Sequence, residues 1–206
     1  MRPISDQADL SNPIESPAVT ATPRKKWSWR RRALVLALVA VGVLAVLIGI
    51  LAVAIEPFSI PSGSMESTVH VGDRVLVNRW SYHLHAVHRG DIVVFKKPTG
   101  AFGSATDRIS RVIGLPGDRL SFANGHVYID DRQLEEPYLD PGTETRPGTR
   151  HCTIQAPCAV PSGEVWVMGD KRAAAYDSRY FGPIPESSLV GRAFLRMSSI
   201  GDIGSL

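Results

Sequence analysis

The amino-acid sequence predicts a mainly β, antiparallel domain that follows one N-terminal transmembrane helix. Two observations carry this prediction. Residues 33–55 form an uncharged apolar run, and from Glu56 onward the pattern changes to short runs of β-branched and aromatic residues separated by turn residues. No long amphipathic helix is evident after residue 55. The chain of 206 residues has room for one ordinary domain and its attachments.

The predicted membrane helix covers 23 residues from Ala33 to Ile55, ALVLALVAVGVLAVLIGILAVAI. As a helix it spans about 34 Å, against about 30 Å for the hydrocarbon core of a bilayer. Basic residues crowd the positions just before it, together with Trp27 and Trp29. Basic flanks stay in the cytoplasm and tryptophan suits the headgroup level. We therefore expect the N-terminus inside and the main domain outside the cytoplasm.

A cleaved signal peptide is the alternative interpretation of this run, since Ala52-Val53-Ala54 resembles a small-x-small cleavage site. The run is longer than the usual apolar region of a signal peptide, about 7–15 residues, and 32 residues precede it. These lengths favour a retained anchor, so the lipid bilayer is an expected partner.

The charge of the chain is concentrated in its first residues. Residues 1–32 carry a net charge of +4, whereas residues 33–206 carry −1. We expect 1–32 to be a basic cytoplasmic tail, disordered because residues 1–23 are rich in Pro, Ser, Thr and Ala without an apolar period. The main domain has no basic excess, which argues against nucleic-acid binding.

The main domain, residues 56–206, is predicted to contain at least six strands. Asn124-Gly125 tolerates the positive φ of a type I′ turn and marks a hairpin. Residues 135–162 are rich in Pro, Gly and Thr, which indicates an inserted, loop-rich lobe over about 120–163. The six predicted strands are Arg74–Val77, Asp91–Phe95, Leu120–Ala123, His126–Ile129, Glu164–Met168 and Val190–Met197.

The only two cysteines, Cys152 and Cys158, lie in this lobe, in the segment HCTIQAPC. Outside the cytoplasm a nearby pair of cysteines favours a disulfide. Two sulfurs with only His151 beside them make a poor zinc site, which normally needs four ligands. We expect no metal and no cofactor.

Four separated motifs follow the apolar run. They are IPSGSMEST followed by HVGDRVLVNR, then RGDIVVFKKP at 89–98, RVIGLPGDRL at 111–120, and VMGDKRAAAYDSRYFGPIPESSLVGRA at 167–193. In this order behind an apolar run, these motifs resemble the bacterial type I signal peptidase family, and the resemblance extends from about residue 34 to the C-terminus.

This resemblance implies a serine endopeptidase that removes signal peptides from exported precursors at small-x-small sites. It implies that Ser64 is the nucleophile and that Ser62 donates to the oxyanion together with the backbone N–H of Ser64. The expected partners are precursor proteins with signal peptides, and the secretion translocon is a further candidate. Ser64 follows the apolar run by nine residues, so the anchor would hold it at the membrane surface.

Two residues of the family's catalytic machinery are replaced in this chain. The general-base lysine, which precedes the arginine of RVIGLPGD, is Ser110 here, and the serine that bonds this lysine is Ala175. A serine hydroxyl is a weak nucleophile and needs a base. Five charged residues still match the family and are interpreted as a structural brace of the site: Arg111, Asp170, Arg172, Asp177 and Arg179.

Three interpretations of this substitution stay open. Ser64 could work with a relocated base, for which Lys171 and then His70 are the candidates, although a solvated surface residue is the favoured explanation of each. The protein could cut slowly without a dedicated base. It could also be an inactive accessory factor or chaperone, for example in pilus assembly. An anchored self-cleaving regulator of similar fold is a further alternative.

Apolar residues near the anchor leave a last question open. Phe58, Ile60 and Met65 would either dip into the membrane interface or pack in the core, and isolated apolar residues do not discriminate between these two fates.

Overall fold

The computed structural model describes residues 29–101, 106–198 and 203–206. The chain divides into two compact units, one that ends at Ala45 and one that runs from Val46 to Leu206. The disorder expected for residues 1–23 falls outside the described residues.

Helix α1 runs from Trp29 to Ala54, and its segment Trp29–Ile50 is long and apolar enough to cross a membrane. The helix begins before Ala33, the expected start, because arginine is a good helix former and Arg30–Arg32 continue the helix toward its N-terminus. Residues 29–32 are therefore helical rather than part of a disordered tail. The helix ends one residue before the expected Ile55, where a strand begins.

Twelve strands and two short helices make up the described part of the second unit after α1. The short helices are α2 (Ser81–Leu84) and α3 (Ser178–Phe181), and 3-10 turns cover Gly63–Met65, Gly148–Arg150 and Glu186–Ser188. The strands are β1 (Ile55–Ser59), β2 (Arg74–Asn78), β3 (Ile92–Lys96), β4 (Asp107–Gly114), β5 (Arg119–Ala123), β6 (His126–Ile129), β7 (Arg132–Gln133), β8 (Cys158–Ala159), β9 (Glu164–Met168), β10 (Ile184–Pro185), β11 (Leu189–Met197) and β12 (Ile203–Ser205).

The strands form two antiparallel sheets. The larger has the order β1-β2-β11-β3-β4-β9-β10, with β12 paired to β11, and the smaller has the order β7-β6-β5-β8. Every pairing is antiparallel. The prediction of a mainly β, antiparallel domain behind an apolar helix is confirmed.

All six predicted strands are present, with boundaries that differ by at most one residue at either end. The pattern misses β4, the longest strand after β11, which the structure places at the centre of the larger sheet. Its sequence DRISRVIG contains three charged residues and a serine, yet its last six residues are buried. Strand prediction from apolar alternation fails there because Arg111 is buried in an ion pair.

The core consists of three apolar clusters distributed over both faces of the larger sheet. Along β3, Ile92 and Val94 belong to one cluster, whereas the alternate residues Val93 and Phe95 belong to another. The third cluster joins the smaller sheet to β9 through Trp166. Within the described part of the chain, one sheet edge, along the first residues of β4, stays unpaired and borders the cleft described below.

The first core cluster answers the question about the apolar residues near the anchor. Ile60 and Met65 are fully buried in it, and Phe58 packs against it. All three residues therefore pack in or against the core. Of the two alternatives, core packing describes these side chains, and insertion into the membrane interface does not.

Candidate active site

Ser64 lies on the 3-10 turn Gly63–Met65, which follows strand β1. Met65 is completely buried beneath the turn, and its sulfur accepts the backbone N–H of Asp170 at 3.4 Å. Burial of Met65 fixes the turn against the core, so the neighbouring Ser64 side chain is left half-buried at the surface. The hydroxyl oxygens of Ser62 and Ser64 are 3.4 Å apart.

A cleft of about 420 Å³ opens beside Ser64. One wall is the N-terminal half of β4, and the other is the turn that precedes α3. The structure brings Ser62, Ser64 and Ser110 together in this cleft with Ala175. The remaining lining residues are Pro61, Gly63, Glu66, Asp107, Arg108, Ile109, Ala174 and Tyr176.

The β4 wall of the cleft is an open strand edge. Strand β3 pairs with β4 from Asp107 to Arg111, whereas the register of β9 with β4 begins only at Arg111. The backbone groups of Thr106 and Val112 bond toward the β3 side. Because bonding direction alternates along a strand, the backbone groups of Asp107 and Ile109 point to the opposite edge, which borders the cleft.

The segment 169–175 clamps the main chain of Ser64. The backbone N–H of Lys171 donates to the carbonyl oxygen of Ser64 at 3.0 Å. A Cβ atom on Gly169 would lie 2.5 Å from that oxygen and 2.5 Å from the Cβ of Ala175. Only glycine therefore lets this segment approach Ser64 so closely.

A buried ion pair joins the same segment to β4. Arg111 donates from Nε to Oδ1 of Asp170 at 2.9 Å and from Nη2 to Oδ2 at 2.7 Å. The side chain of Arg111 is 10% exposed and that of Asp170 is fully buried. Thr68, four residues after Ser64, donates its hydroxyl to the same carboxylate. Asp170 therefore connects β4, the clamp and the turn that carries Ser64.

A second ion pair, between Arg179 and Asp177, braces segment 169–175 from its C-terminal side. Arg179 forms a two-point contact with Asp177, and its guanidinium also donates to the carbonyl oxygens of Arg172 and Ala175. Asp177 accepts the N–H of Gly169 at 3.1 Å. Segment 169–175 is thus fixed at its first residue, Gly169, and at its last, Ala175.

Arg172 pairs with Glu136 of the inserted lobe and also contacts Thr145. Burial by itself would lower the pKa of Arg172, but the hydrogen bonds and charge of Glu136 outweigh it and raise this pKa. Burial and Glu136 also raise the pKa of Tyr138, which lies under the guanidinium of Arg111. The raised pKa values mean that Arg172 stays protonated and Tyr138 stays neutral at neutral pH.

Neither candidate for a relocated base has its side chain in the cleft. Lys171 holds Ser64 through its main chain; it does not line this cleft but lines a separate cavity of about 650 Å³. His70 is exposed, with Nδ1 3.7 Å from Asp73. Ser110 does line the cleft, and its hydroxyl donates to the carbonyl oxygen of Ile109 at 2.7 Å.

The titratable side chains that line the cleft, among the described residues, are Glu66, Asp107, Arg108 and Tyr176. A guanidinium stays protonated and cannot accept a proton. The carboxylate of Asp107 is 2.8 Å from the ammonium of Lys96. Glu66 is the other carboxylate of the cleft, and it is exposed. The cleft therefore contains Ser64, the expected nucleophile, and hydrogen-bond donors, but its described lining holds no lysine or histidine.

The sequence pattern identifies the five brace residues but not their partners. Thr68, Glu136 and Tyr138 were not predicted as members of the site. A charged Arg111 inside a strand is the one signal that points to them, because a buried arginine needs a carboxylate and further acceptors.

The two cysteines lie away from this cleft. Cys152 and Cys158 form a disulfide, and Cys152 is buried in the core cluster of the smaller sheet. Among the residues that the structure describes, no group of three or more His, Cys, Asp or Glu side chains could hold a metal ion.

Comparison with known proteins gives matches along most of the chain. Residues 30–198 match the family model described as signal peptidase, peptidase S26. A protein of Synechocystis named probable signal peptidase I-2 is 38% identical, over 77% of this chain and 70% of its own length. A signal peptidase I of Leptolyngbya laminosa is 34% identical, over 98% of this chain and 97% of its own length. A solved signal peptidase I from Enterococcus faecalis is 27% identical, over 52% of this chain and 97% of that one, with a TM-score of 0.43.

The composition of the cleft predicts the titration of a thiol placed at position 64. In a Ser64→Cys variant, with no lysine or histidine beside the sulfur, we expect a thiol pKa of about 8.5, the ordinary value. The rate of alkylation by iodoacetamide measured against pH reports this pKa, because Cys152 and Cys158 are held in a disulfide. A pKa well below 7 would show that a cationic nitrogen reaches position 64. A Ser198→Cys variant, outside the cleft, serves as the reference thiol.

Proposed function

Because the chain belongs to the signal peptidase family, peptidase S26, we propose that it is a membrane-anchored serine endopeptidase that removes signal peptides from exported precursor proteins, with Ser64 as its nucleophile. The observation that supports this role best is the Ser64 hydroxyl, which lines a cleft with the open edge of β4 as its wall. The three relatives described above give no support to the accessory role.

The open edge suits an extended substrate segment. A peptide can add as a strand to the backbone groups of Asp107 and Ile109, which fixes its register by main-chain hydrogen bonds. The cleft volume of about 420 Å³ is shared by several substrate residues, so it favours small side chains. This is the expected preference for small-x-small sites.

The reaction begins when the oxygen of Ser64 attacks the carbonyl carbon of the scissile bond. The negative charge that forms on the carbonyl oxygen would be stabilised by the hydroxyl of Ser62 and the backbone N–H of Ser64. Hydroxide from solvent takes the proton of Ser64, the C–N bond then breaks as the leaving amine takes a proton from water, and a further water molecule hydrolyses the acyl-enzyme. The close contacts of Gly169 and Lys171 keep Ser64 in position for this attack.

Removal of the proton from Ser64 is the weak step of this chemistry. A positioned general base contributes roughly 10²–10⁴-fold, and the cleft offers only carboxylates, which are weak bases at neutral pH. We therefore expect slow turnover that rises with pH, because hydroxide from solvent replaces the missing lysine. Lys171 acts through its main chain rather than as a base.

The anchor would bring this site to its substrates. Eight residues separate Ile55 from Ser64, a reach of about 30 Å when fully extended. Precursors present their cleavage site just beyond an apolar segment, so a tethered nucleophile searches a surface rather than a volume. The basic flank before α1 supports a cytoplasmic N-terminus and an extracytoplasmic main domain.

Cleavage of a precursor with an Ala-x-Ala site by the purified full-length protein in detergent tests the proposal. We expect slow cleavage at that site, its loss in a Ser64→Ala variant because the nucleophile is gone, and its retention in Lys171→Ala. Equal background in the wild type and in Ser64→Ala, with the precursor still bound, would contradict proteolysis and favour the accessory role. Loss of cleavage in Lys171→Ala would identify Lys171 as the base.

Restoration of the missing pair gives a second test. The combined Ser110→Lys and Ala175→Ser variant places a lysine in the cleft wall and a hydroxyl beside it, so we expect kcat to rise by roughly 10²–10⁴-fold. Ser110→Met, of similar length but without the amine, is the matched control and should not gain activity. A folded double variant, checked by its unfolding temperature, with unchanged kcat would contradict the proposed geometry.

A further inference from the structure

The segment 79–85, which follows β2, carries two exposed large apolar side chains. Trp80 is 42% exposed and Leu84, at the end of α2, is 70% exposed. The segment is joined to the end of helix α1, because the backbone N–H of Arg79 donates to the carbonyl oxygen of Ala54 at 2.9 Å. Val53 of the same helix end is 67% exposed. Exposed apolar side chains therefore lie both at the end of α1 (Val53) and on the adjoining segment (Trp80 and Leu84).

This exposed segment is held firmly to the sheet from beneath. Tyr82, within α2, donates its hydroxyl to Asp91 at 3.2 Å, and Asp91 is in turn 3.0 Å from the guanidinium of Arg192 on β11. Asp91 also accepts the backbone N–H of His88. Trp80 and Leu84 are therefore presented outward by a braced turn.

A groove of about 460 Å³ lies between the helix end and this segment. Its apolar part includes Val53 and Leu189, and its cations are Arg79 and Lys96. None of the described residues that line the groove is acidic. Each cation does have a carboxylate partner outside the lining, Glu56 for Arg79 and Asp107 for Lys96. Both basic side chains are more than half exposed, so their remaining hydrogen-bond donors are free to reach an anion.

We propose that this groove binds the phosphate of an anionic phospholipid in the leaflet at which α1 ends, with Trp80 and Leu84 in the same interface. The proposal rests on the membrane placement of α1 and is independent of proteolysis at Ser64. The phosphate lies between Arg79 and Lys96, and the acyl chains follow the apolar surface of the helix at Val53.

Three features favour a lipid over other anions. The groove includes Val53 at the end of the apolar helix α1, and this side chain is exposed. A tryptophan beside it suits the headgroup level, where its ring is apolar and its N–H polar. Basic pockets at the end of a membrane helix attract anionic headgroups by about 1 kcal/mol for each Lys or Arg near the surface.

The test uses full-length protein in detergent, incubated with equal amounts of phosphatidylglycerol and phosphatidylcholine. Native mass spectrometry counts each bound lipid, and we expect a preference for phosphatidylglycerol. In the Arg79→Gln, Lys96→Gln double variant this preference should fall about 30-fold, because two cations that contribute about 1 kcal/mol each are lost. The matched control is Arg119→Gln, Arg132→Gln, which removes two exposed charges from the smaller sheet and should keep the preference.

The other outcomes overturn the proposal. An unchanged preference in the groove variant, an equal loss in the control, or no preference in the wild type would each rule out a headgroup site in this groove. Displacement of the lipid by millimolar glycerol phosphate would show a site for free phosphate instead. Since lipid binding is read directly, an inactive but lipid-selective protein would refute the proposed proteolysis and leave this proposal intact.

Discussion

The buried ion pair between Arg111 and Asp170 is the constraint on which the site depends. It joins the central strand β4 to the segment that clamps Ser64, and Thr68 connects the same carboxylate to the turn that carries this serine. Breaking a buried pair leaves an uncompensated charge, which typically costs about 3–5 kcal/mol. The position of the nucleophile is therefore set by charge pairing beneath the cleft rather than by contacts inside it.

This arrangement explains how the cleft keeps its shape without the family's lysine and its partner serine. Ser110 and Ala175 are both buried in the walls, and the backbone on either side is fixed by ion pairs that do not involve their side chains. Substrate binding and oxyanion stabilisation can thus persist while proton transfer is weakened. Loss of one catalytic group in a serine hydrolase leaves the contribution of the others, about 10³–10⁴-fold over water.

Much of the fold and part of the site could be predicted from the sequence. Apolar alternation located six strands, and the motif around Ser64 identified a serine that the structure places in the cleft, because both depend on local residue order. Strand β4 escaped prediction since its buried Arg111 looks exposed until its partner, 59 residues away, is known. The role of Lys171 was equally unpredictable. Its backbone N–H holds Ser64, and whether a residue contributes its main chain or its side chain depends on the tertiary packing of segment 169–175.

The most direct test of the central claim is hydrogen–deuterium exchange at the Lys171 amide, which donates to Ser64, in an Asp170→Asn variant. The account predicts that protection falls by about 10²-fold or more over residues 62–68 and 169–175, because Arg111 loses its buried counter-charge. In Glu144→Gln, which removes a carboxylate from an exposed pair with Arg146, protection should stay at the wild-type level. Unchanged protection of the Ser64 turn in Asp170→Asn would contradict the claim that this ion pair positions the nucleophile.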